Sequence, residues 1–250
     1  MVLTIDEVDF LCPLSHGNLT PMTRHSLRDG SASFDVTLLD AAEPARVVLF
    51  AVGGGGNPER HLPLLEALAA DGCQVIAPHF ERLSAPAPTA ATLQLRARRL
   101  QQALDAFARS GLPVAGVGHS IGTTILLTLV GAHAWTIAGE PLTIAPDERI
   151  DRLALLAPAT DFFRAPRALS AVHTPILAWA GTQDVVTPVA QAEYLTQALA
   201  AQARVELRVV EGASHFSFMH ALPPQVADAL PNRAQFLSEL TDHVCRFITR

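Results

Sequence analysis

Two kinds of hydrophobic pattern alternate along this chain. Arg46 to Val52 (RVVLFAV), Gln74 to Pro78, Val114 to Val117, Arg152 to Ala157, Pro175 to Ala180 and Val205 to Val210 are short runs that are apolar at nearly every position. Such runs suit strands of a parallel sheet covered on both faces. Between them apolar residues recur at helical spacing. Pro58 to about Ala70, with Leu62, Leu65 and Leu68 in phase and Asp71-Gly72 closing it, is predicted helical, as are Thr89 to Arg109, Thr123 to Val130, Pro188 to Ala201 and the terminal Pro231 to Thr249. Strand and helix therefore alternate from residue 46 onward. This predicts an α/β chain with one doubly wound, mostly parallel sheet of about eight strands flanked by helices.

The remaining stretches read less sharply. Ser33 to Leu39 alternates enough for an edge strand, with Leu3 to Phe10 pairing near it, whereas the rest of residues 1 to 32 is mixed, with turn formers at Pro13, Gly17, Asn18 and Gly30. Leu83 to Pro88 is a Pro- and Ala-rich loop. Gly131 to Arg149 reads as a surface excursion with room for a small hairpin, and Asp161 to Val172 as a short, mostly helical connection. The Arg96, Arg98, Arg99 cluster reads as a solvated helix face.

Composition narrows the chemistry. The chain has 250 residues, 49% of them hydrophobic, enough for one α/β domain with a sizeable core. A net charge of −6 without any basic run argues against a nucleic-acid surface and for a small partner of little charge. All 18 basic residues are arginine, which removes Schiff-base, pyridoxal-phosphate, Ser-Lys and Walker-type chemistry together. With Tyr194 as the sole tyrosine, the Tyr-x-x-x-Lys pair of short-chain dehydrogenases is excluded as well.

Cys12, Cys73 and Cys245 are odd in number and scattered, as expected of reduced thiols, with Cys73 and Cys245 read as buried small hydrophobes. Asp6, Glu7 and Asp9 stand where a signal peptide would be basic and then apolar. No stretch is apolar enough to span a membrane, so a cytoplasmic protein is expected. Oligomeric state stays open, a homodimer included. No pair of histidines has metal spacing, and neither a metal nor a cofactor is called for.

The most informative stretch is Val114 to Val130, VAGVGHSIGTTILLTLV. It reads as strand, tight turn, helix, with Ser120 at the apex between Gly118 and Gly122. A turn this tight strains its central residue and needs neighbours without bulk, so that strand and helix can approach. In letters and context it resembles the nucleophile elbow of the α/β-hydrolase superfamily. That resemblance implies a nucleophile at Ser120, followed along the chain by an acid and then a histidine.

Both follow in that order. A serine hydroxyl needs a base beside it and a third group to orient that base. Asp184, in Gly181-Thr182-Gln183-Asp184 directly after the strand Pro175 to Ala180, stands where ligand groups gather at the carboxyl edge of an open sheet. Asp161, after the preceding strand, is the competing acid. His215, in the loop after the last strand, is the expected base. His119, beside the nucleophile, is expected to point away into packing or a structural hydrogen bond, and His61, His79 and His220 are candidates for pocket walls. An oxyanion hole needs two backbone amides. Ile121 supplies one, and Gly54, with Gly55 next, is chosen for the other from the Gly53 to Gly56 loop.

Within the superfamily the chain is similar to the bacterial dienelactone hydrolase-like group, which also holds relatives of platelet-activating-factor acetylhydrolase. The matching pieces are GGGGNPERH at 53 to 61, GHSIG at 118 to 122, the passage at 147 to 157, GTQDVVTP at 181 to 188 and SHFSF at 214 to 218, followed by Pro223-Pro224. The resemblance implies hydrolysis of small-molecule esters or lactones without a cofactor, through Ser120, His215 and Asp184. A thioesterase or acyltransferase with the same triad is the alternative, and a catalytically silent binding protein on the same scaffold is the alternative of another class. Ser120 replaces the cysteine of dienelactone hydrolase, and Val52 stands where the group often has histidine before the glycine loop. Only a minimal cap is expected from the short connection after Ala157, with the Gly131 to Arg149 excursion, Trp135 included, as one wall.

Overall fold

The computed structural model describes residues 7–8, 21–84 and 87–250. Cys12, the turn formers Pro13, Gly17 and Asn18, and most of the Leu3 to Phe10 and part of the Leu83 to Pro88 readings lie outside the described residues. A nine-stranded sheet forms the spine, in the order β1-β2-β3-β5-β4-β6-β7-β8-β9. The strands are β1 (Glu7–Val8), β2 (Thr23–Asp29), β3 (Ala32–Leu39), β4 (Arg46–Ala51), β5 (Cys73–Pro78), β6 (Val114–His119), β7 (Ile150–Leu156), β8 (Ile176–Gly181) and β9 (Val205–Val210). From β5 to β9 neighbouring strands are parallel, and β1, β2 and β3 extend the sheet antiparallel.

Two expectations about the first part of the chain are corrected. Thr23–Asp29, read as mixed, is a full strand whose polar residues hid its alternation, and it turns through Gly30 at φ 65° into β3. Ser33 to Leu39 is consequently not an edge strand: β3 is paired on both sides, with β2 and β5.

Among the described residues five helices cover the sheet: α1 (Leu62–Ala70), α2 (Ala90–Phe107), α3 (Ile121–Leu129), α4 (Val189–Leu199) and α5 (Arg233–Thr249). The single-residue alternation of β4 shows how the layers divide. Val47, Leu49 and Ala51 pack with Leu93, Leu100, Ile125 and Leu195 under α2, α3 and α4, whereas Val48, Phe50 and Val52 pack with Leu64, Leu68, Leu240 and Val244 under α1 and α5. Every residue of β4, β5, β6 and β8 is buried, which is why their sequences are apolar without alternation. The helix predicted from Pro58 begins with one 3₁₀ turn, Pro58–His61, capped by the Asn57 side chain accepting from the Glu59 amide at 2.9 Å.

Three details reach the site. The chain leaves β4 through α1 for β5 and returns through α2 to β6 on the other side of β4, so the strand order reverses between β4 and β6. Crevices at the carboxyl ends of strands open at such a reversal. The connection from β7 to β8 holds only the 3₁₀ turn Asp161–Phe163 followed by turns, in place of the mostly helical segment expected, so no large insertion stands over the sheet edge. The 131–149 excursion carries one antiparallel bridge, Trp135 to Pro141, and folds down, burying Ala134 and Leu142 in the core on the α3 side, with Trp135 packed against that core.

Candidate active site

Ser120 sits directly after β6 as the N-cap of α3, at φ 54° and ψ −128°. A non-glycine residue at such angles is held there only by its surroundings. The restraints are visible: the Ser120 amide donates to the Leu156 carbonyl at 2.9 Å, and a Cβ on Gly122 would lie 2.0 Å from the Ala51 carbonyl oxygen. A Cβ on Gly118 would lie 2.8 Å from Leu126 Cδ1, and one on Gly116 3.0 Å from Leu126 Cδ2. Three glycines thus let α3 press onto β6 and β4, and the serine side chain is lifted at the bend.

The loops after β8 and β9 are laced together, which brings Asp184 to His215. Thr182 N–H donates to the Val210 carbonyl at 3.0 Å, Gln183 N–H to the Ala213 carbonyl at 2.9 Å, and Gly212 N–H to the Thr182 hydroxyl at 2.9 Å. Within this frame His215 Nδ1 lies 2.8 Å from Asp184 Oδ2, and His215 Nε2 lies 2.9 Å from Ser120 Oγ. Asp184 Oδ1 accepts the Val186 and Thr187 amides at 2.8 and 2.7 Å, and Oδ2 also accepts the Thr187 hydroxyl at 2.8 Å. Burial acts to raise the Asp184 pKa, but the hydrogen bond and charge of His215 together with the Thr187 donors outweigh it, and the carboxyl stays below its ordinary value. With Nδ1–H engaged by a carboxylate, Nε2 is left as an acceptor toward the serine.

The competing acid lies elsewhere. Asp161 pairs with Arg164 at 2.7 Å on an exposed turn and makes no contact with the histidine. The Thr187 contribution was not singled out from sequence, although Thr187 lies inside the GTQDVVTP stretch, three residues after the acid, where a hydroxyl can fold back onto its carboxylate.

His119 points away from the Ser120 side chain as expected and has a specific partner. Its Nε2–H donates to the His215 backbone carbonyl at 3.0 Å, since a carbonyl can only accept. Burial and the neighbouring His215 push its pKa down to about 3, so the ring is neutral. Behind it stand His61, ring centroids 5.2 Å away, and then Phe50, 5.1 Å further. His61 is therefore no pocket wall: it is fully buried and both ring nitrogens lack partners among the described residues. His79 is occupied by the Thr37 hydroxyl at 2.7 Å, and His220 faces Thr241.

The glycine loop after β4 abuts the serine. A Cβ on Gly53 would lie 3.3 Å from Ser120 Cβ and 3.0 Å from His119 Nδ1. Gly56, at φ 78°, passes so close to the Phe80 carbonyl that only glycine fits. The loop is zipped to residues 80–83 by Phe80 N–H to Gly56 O and Leu83 N–H to Gly54 O, both 2.8 Å. The Gly54 amide donates to no other group among the described residues, and the Ile121 amide opens α3, where the first N–H groups have no intrahelical acceptor.

The arginine cluster of α2 is corrected here. Arg98 does reach solvent, pairing with Asp29, and Arg99 is buried beside the same carboxylate. Arg96 is 2% exposed and points inward, donating to the Gly53 carbonyl at 3.0 Å and the Glu81 carbonyl at 2.7 Å. Sequence periodicity missed it because an arginine among Leu93, Ala97 and Leu100 reads as polar rather than as a buried donor.

Among the described residues no three His, Cys, Asp or Glu side chains form a group able to hold a metal ion, and no helix is long and apolar enough to cross a membrane. No protein-family model and no curated protein sequence matches the chain. Solved structures do. A cold-adapted esterase from an Arctic intertidal metagenomic library superposes with a TM-score of 0.65 at 16% identity, covering 99% of this chain and 100% of that one. A dienelactone hydrolase from Anabaena variabilis gives 0.62 at 19% identity, covering 90% and 95%, and esterase 2 of Thermogutta terrifontis, phosphorylated by paraoxon, gives 0.61 at 19% identity, covering 88% and 91%. The chain has the α/β-hydrolase fold.

Proposed function

We propose that this protein is a serine hydrolase that cleaves carboxylic esters or lactones of small molecules through an acyl-enzyme. The observation that carries the reading is the continuous line from Ser120 Oγ through the His215 ring to Asp184, drawn by three loops at one edge of the sheet. In the first half-reaction His215 Nε2 takes the Ser120 proton as Oγ attacks the carbonyl carbon. Asp184 stabilises the imidazolium so formed, and the amides of Ile121 and Gly54 receive the developing oxyanion. The imidazolium then returns its proton to the leaving alcohol. In the second half-reaction water, deprotonated by the same nitrogen, releases the acid and regenerates the serine.

The esterase and dienelactone hydrolase among the structural neighbours agree with this class without fixing the acyl group. The absence of a large insertion between β7 and β8 favours substrates that reach an open edge. The test is turnover of p-nitrophenyl acetate and butyrate by the wild type and by Ser120→Ala, together with labelling by a fluorophosphonate. The wild type should turn over the ester and take the label at Ser120, and the alanine variant should do neither. Full activity in the variant would remove the mechanism.

A further inference from the structure

Arg96 is a cation in the interior without a carboxylate to pair with among the described residues. Burial lowers its pKa to about 10, which still leaves the guanidinium charged at neutral pH. Its neighbours are the Phe80 ring, 4.9 Å from Cζ, and backbone carbonyls only: Gly53 and Glu81, with Gly54 at 3.5 Å as an outlying third. A buried charge that meets only neutral dipoles costs folding free energy that an apolar side chain would not. The carbonyls it meets belong to the loop beside Ser120 and to the segment zipped onto that loop.

The Gly53 carbonyl and the Gly54 N–H are two ends of one peptide unit. The unit is planar and trans, so its C=O and N–H point to opposite sides. The Gly53 carbonyl accepts the Gly56 N–H at 3.1 Å as well as the guanidinium at 3.0 Å, and its turn toward α2 directs the Gly54 N–H away from α2, on a loop whose preceding residue abuts Ser120. A cation on the oxygen also withdraws electrons through the delocalised amide and makes that N–H a stronger donor. We propose that Arg96 is a positioning residue of the hydrolytic reaction, orienting and polarising the Gly53–Gly54 peptide so that the Gly54 amide meets the oxyanion. This rests on the reading of Gly54 given above.

A planar fork reaches two carbonyls at once, which an ammonium does not do at fixed geometry. Arg96→Met deletes both charge and donors while keeping much of the volume. Its kcat should fall about 10²-fold, the scale of losing one oxyanion donor, while KM moves less than about threefold. Affinity for a trifluoromethyl ketone, whose tetrahedral adduct places an oxyanion on the same amides, should fall by the same factor as kcat. Added guanidinium ion should restore part of the rate to Arg96→Ala. Should the methionine variant fail to fold, Arg96→Gln, which removes the charge but keeps an amide NH₂, should lower kcat and ketone affinity by one common factor, smaller than that for methionine.

A folded variant with wild-type kcat overturns the proposal, and so does one in which KM rises while kcat and ketone affinity hold. The two readings separate cleanly. Absence of Ser120-dependent turnover in the wild type sinks the proposed function and this inference with it. A wild type that is active, dead as Ser120→Ala and indifferent to Arg96 loses this inference alone.

Discussion

Ser120 Oγ and His215 Nε2 stand 2.9 Å apart across 95 residues of chain, and the His215 backbone carbonyl is tied to His119, the residue next to that serine, at 3.0 Å. The elbow therefore grips the histidine loop by its main chain as well as by its ring. On the proposed mechanism His215→Ala should lower ester turnover about 10⁴-fold or more, since among the described residues Ser120 Oγ has no other hydrogen-bond partner. It should also lower stability by about 1–3 kcal/mol, because Asp184 keeps its buried carboxylate and loses its ring donor. Urea unfolding beside steady-state rates checks both; a variant with half the wild-type rate would contradict the role of the ring.

Asp184→Asn separates charge from shape. An asparagine can keep accepting the Val186 and Thr187 amides through its oxygen, but it turns an NH₂ toward His215 Nδ1. The ring must then carry its proton on Nε2, where it cannot take one from Ser120. The expected loss is about 10⁴-fold in kcat with a folded protein. Asp161→Asn, which only frees Arg164, should stay within about twofold. The reverse ranking would give the acid role to Asp161.

Gly122 and Gly55 make a steric pair for comparison. A methyl at Gly122 would drive into the Ala51 carbonyl oxygen at 2.0 Å, forcing α3 off β4, whereas one at Gly55 meets nothing within 4 Å. Gly122→Ala should lose about 3 kcal/mol or more, if it folds at all, and Gly55→Ala should stay within about 0.5 kcal/mol in urea unfolding. Equal stability of the two would mean that the elbow does not need the close approach.

The strands β4 to β9, the turn at Ser120 and the meeting of Ser120, His215 and Asp184 were legible because each rests on local pattern: apolar runs, flanking glycines, a loop position after a strand. β2 was not, since Thr23, Arg24, His25 and Arg28 dilute its alternation and its pairing with β3 is tertiary information. The solvated reading of α2 failed at Arg96 for a related reason. Helical periodicity says which face a residue occupies, not that the neighbouring loop turns carbonyls toward a cation. Thr187 and the His119 to His215 link are of the same kind, partners chosen by loop packing rather than by spacing.

The buried histidines give the last prediction, on stability against pH. Burial is the first cause of the lowered pKa of His61, His119 and His220: His61 falls well below its usual value, His119 to about 3 and His220 to about 4. The unfolded chain takes up these protons from about pH 6.5 downward, while the folded protein refuses them until the lowered values are reached. More protons bound in the unfolded state means that stability rises with pH in this window and is lost on acidification through it. Each group contributes up to about 1.4 kcal/mol per pH unit. The lowered Asp184 carboxyl acts in the same direction, but its stabilisation is complete above its ordinary value of 3.8 and is lost only below it, so it leaves the interval from pH 4.5 to 5.5 to the histidines. His61→Leu, filling the site between Phe50 and His119 with an apolar side chain, should flatten the slope in that interval, as read from urea midpoints at several pH values. A slope unchanged by the substitution would mean that the folded protein already protonates His61 there, and that its two unpartnered nitrogens find an acceptor on acidification.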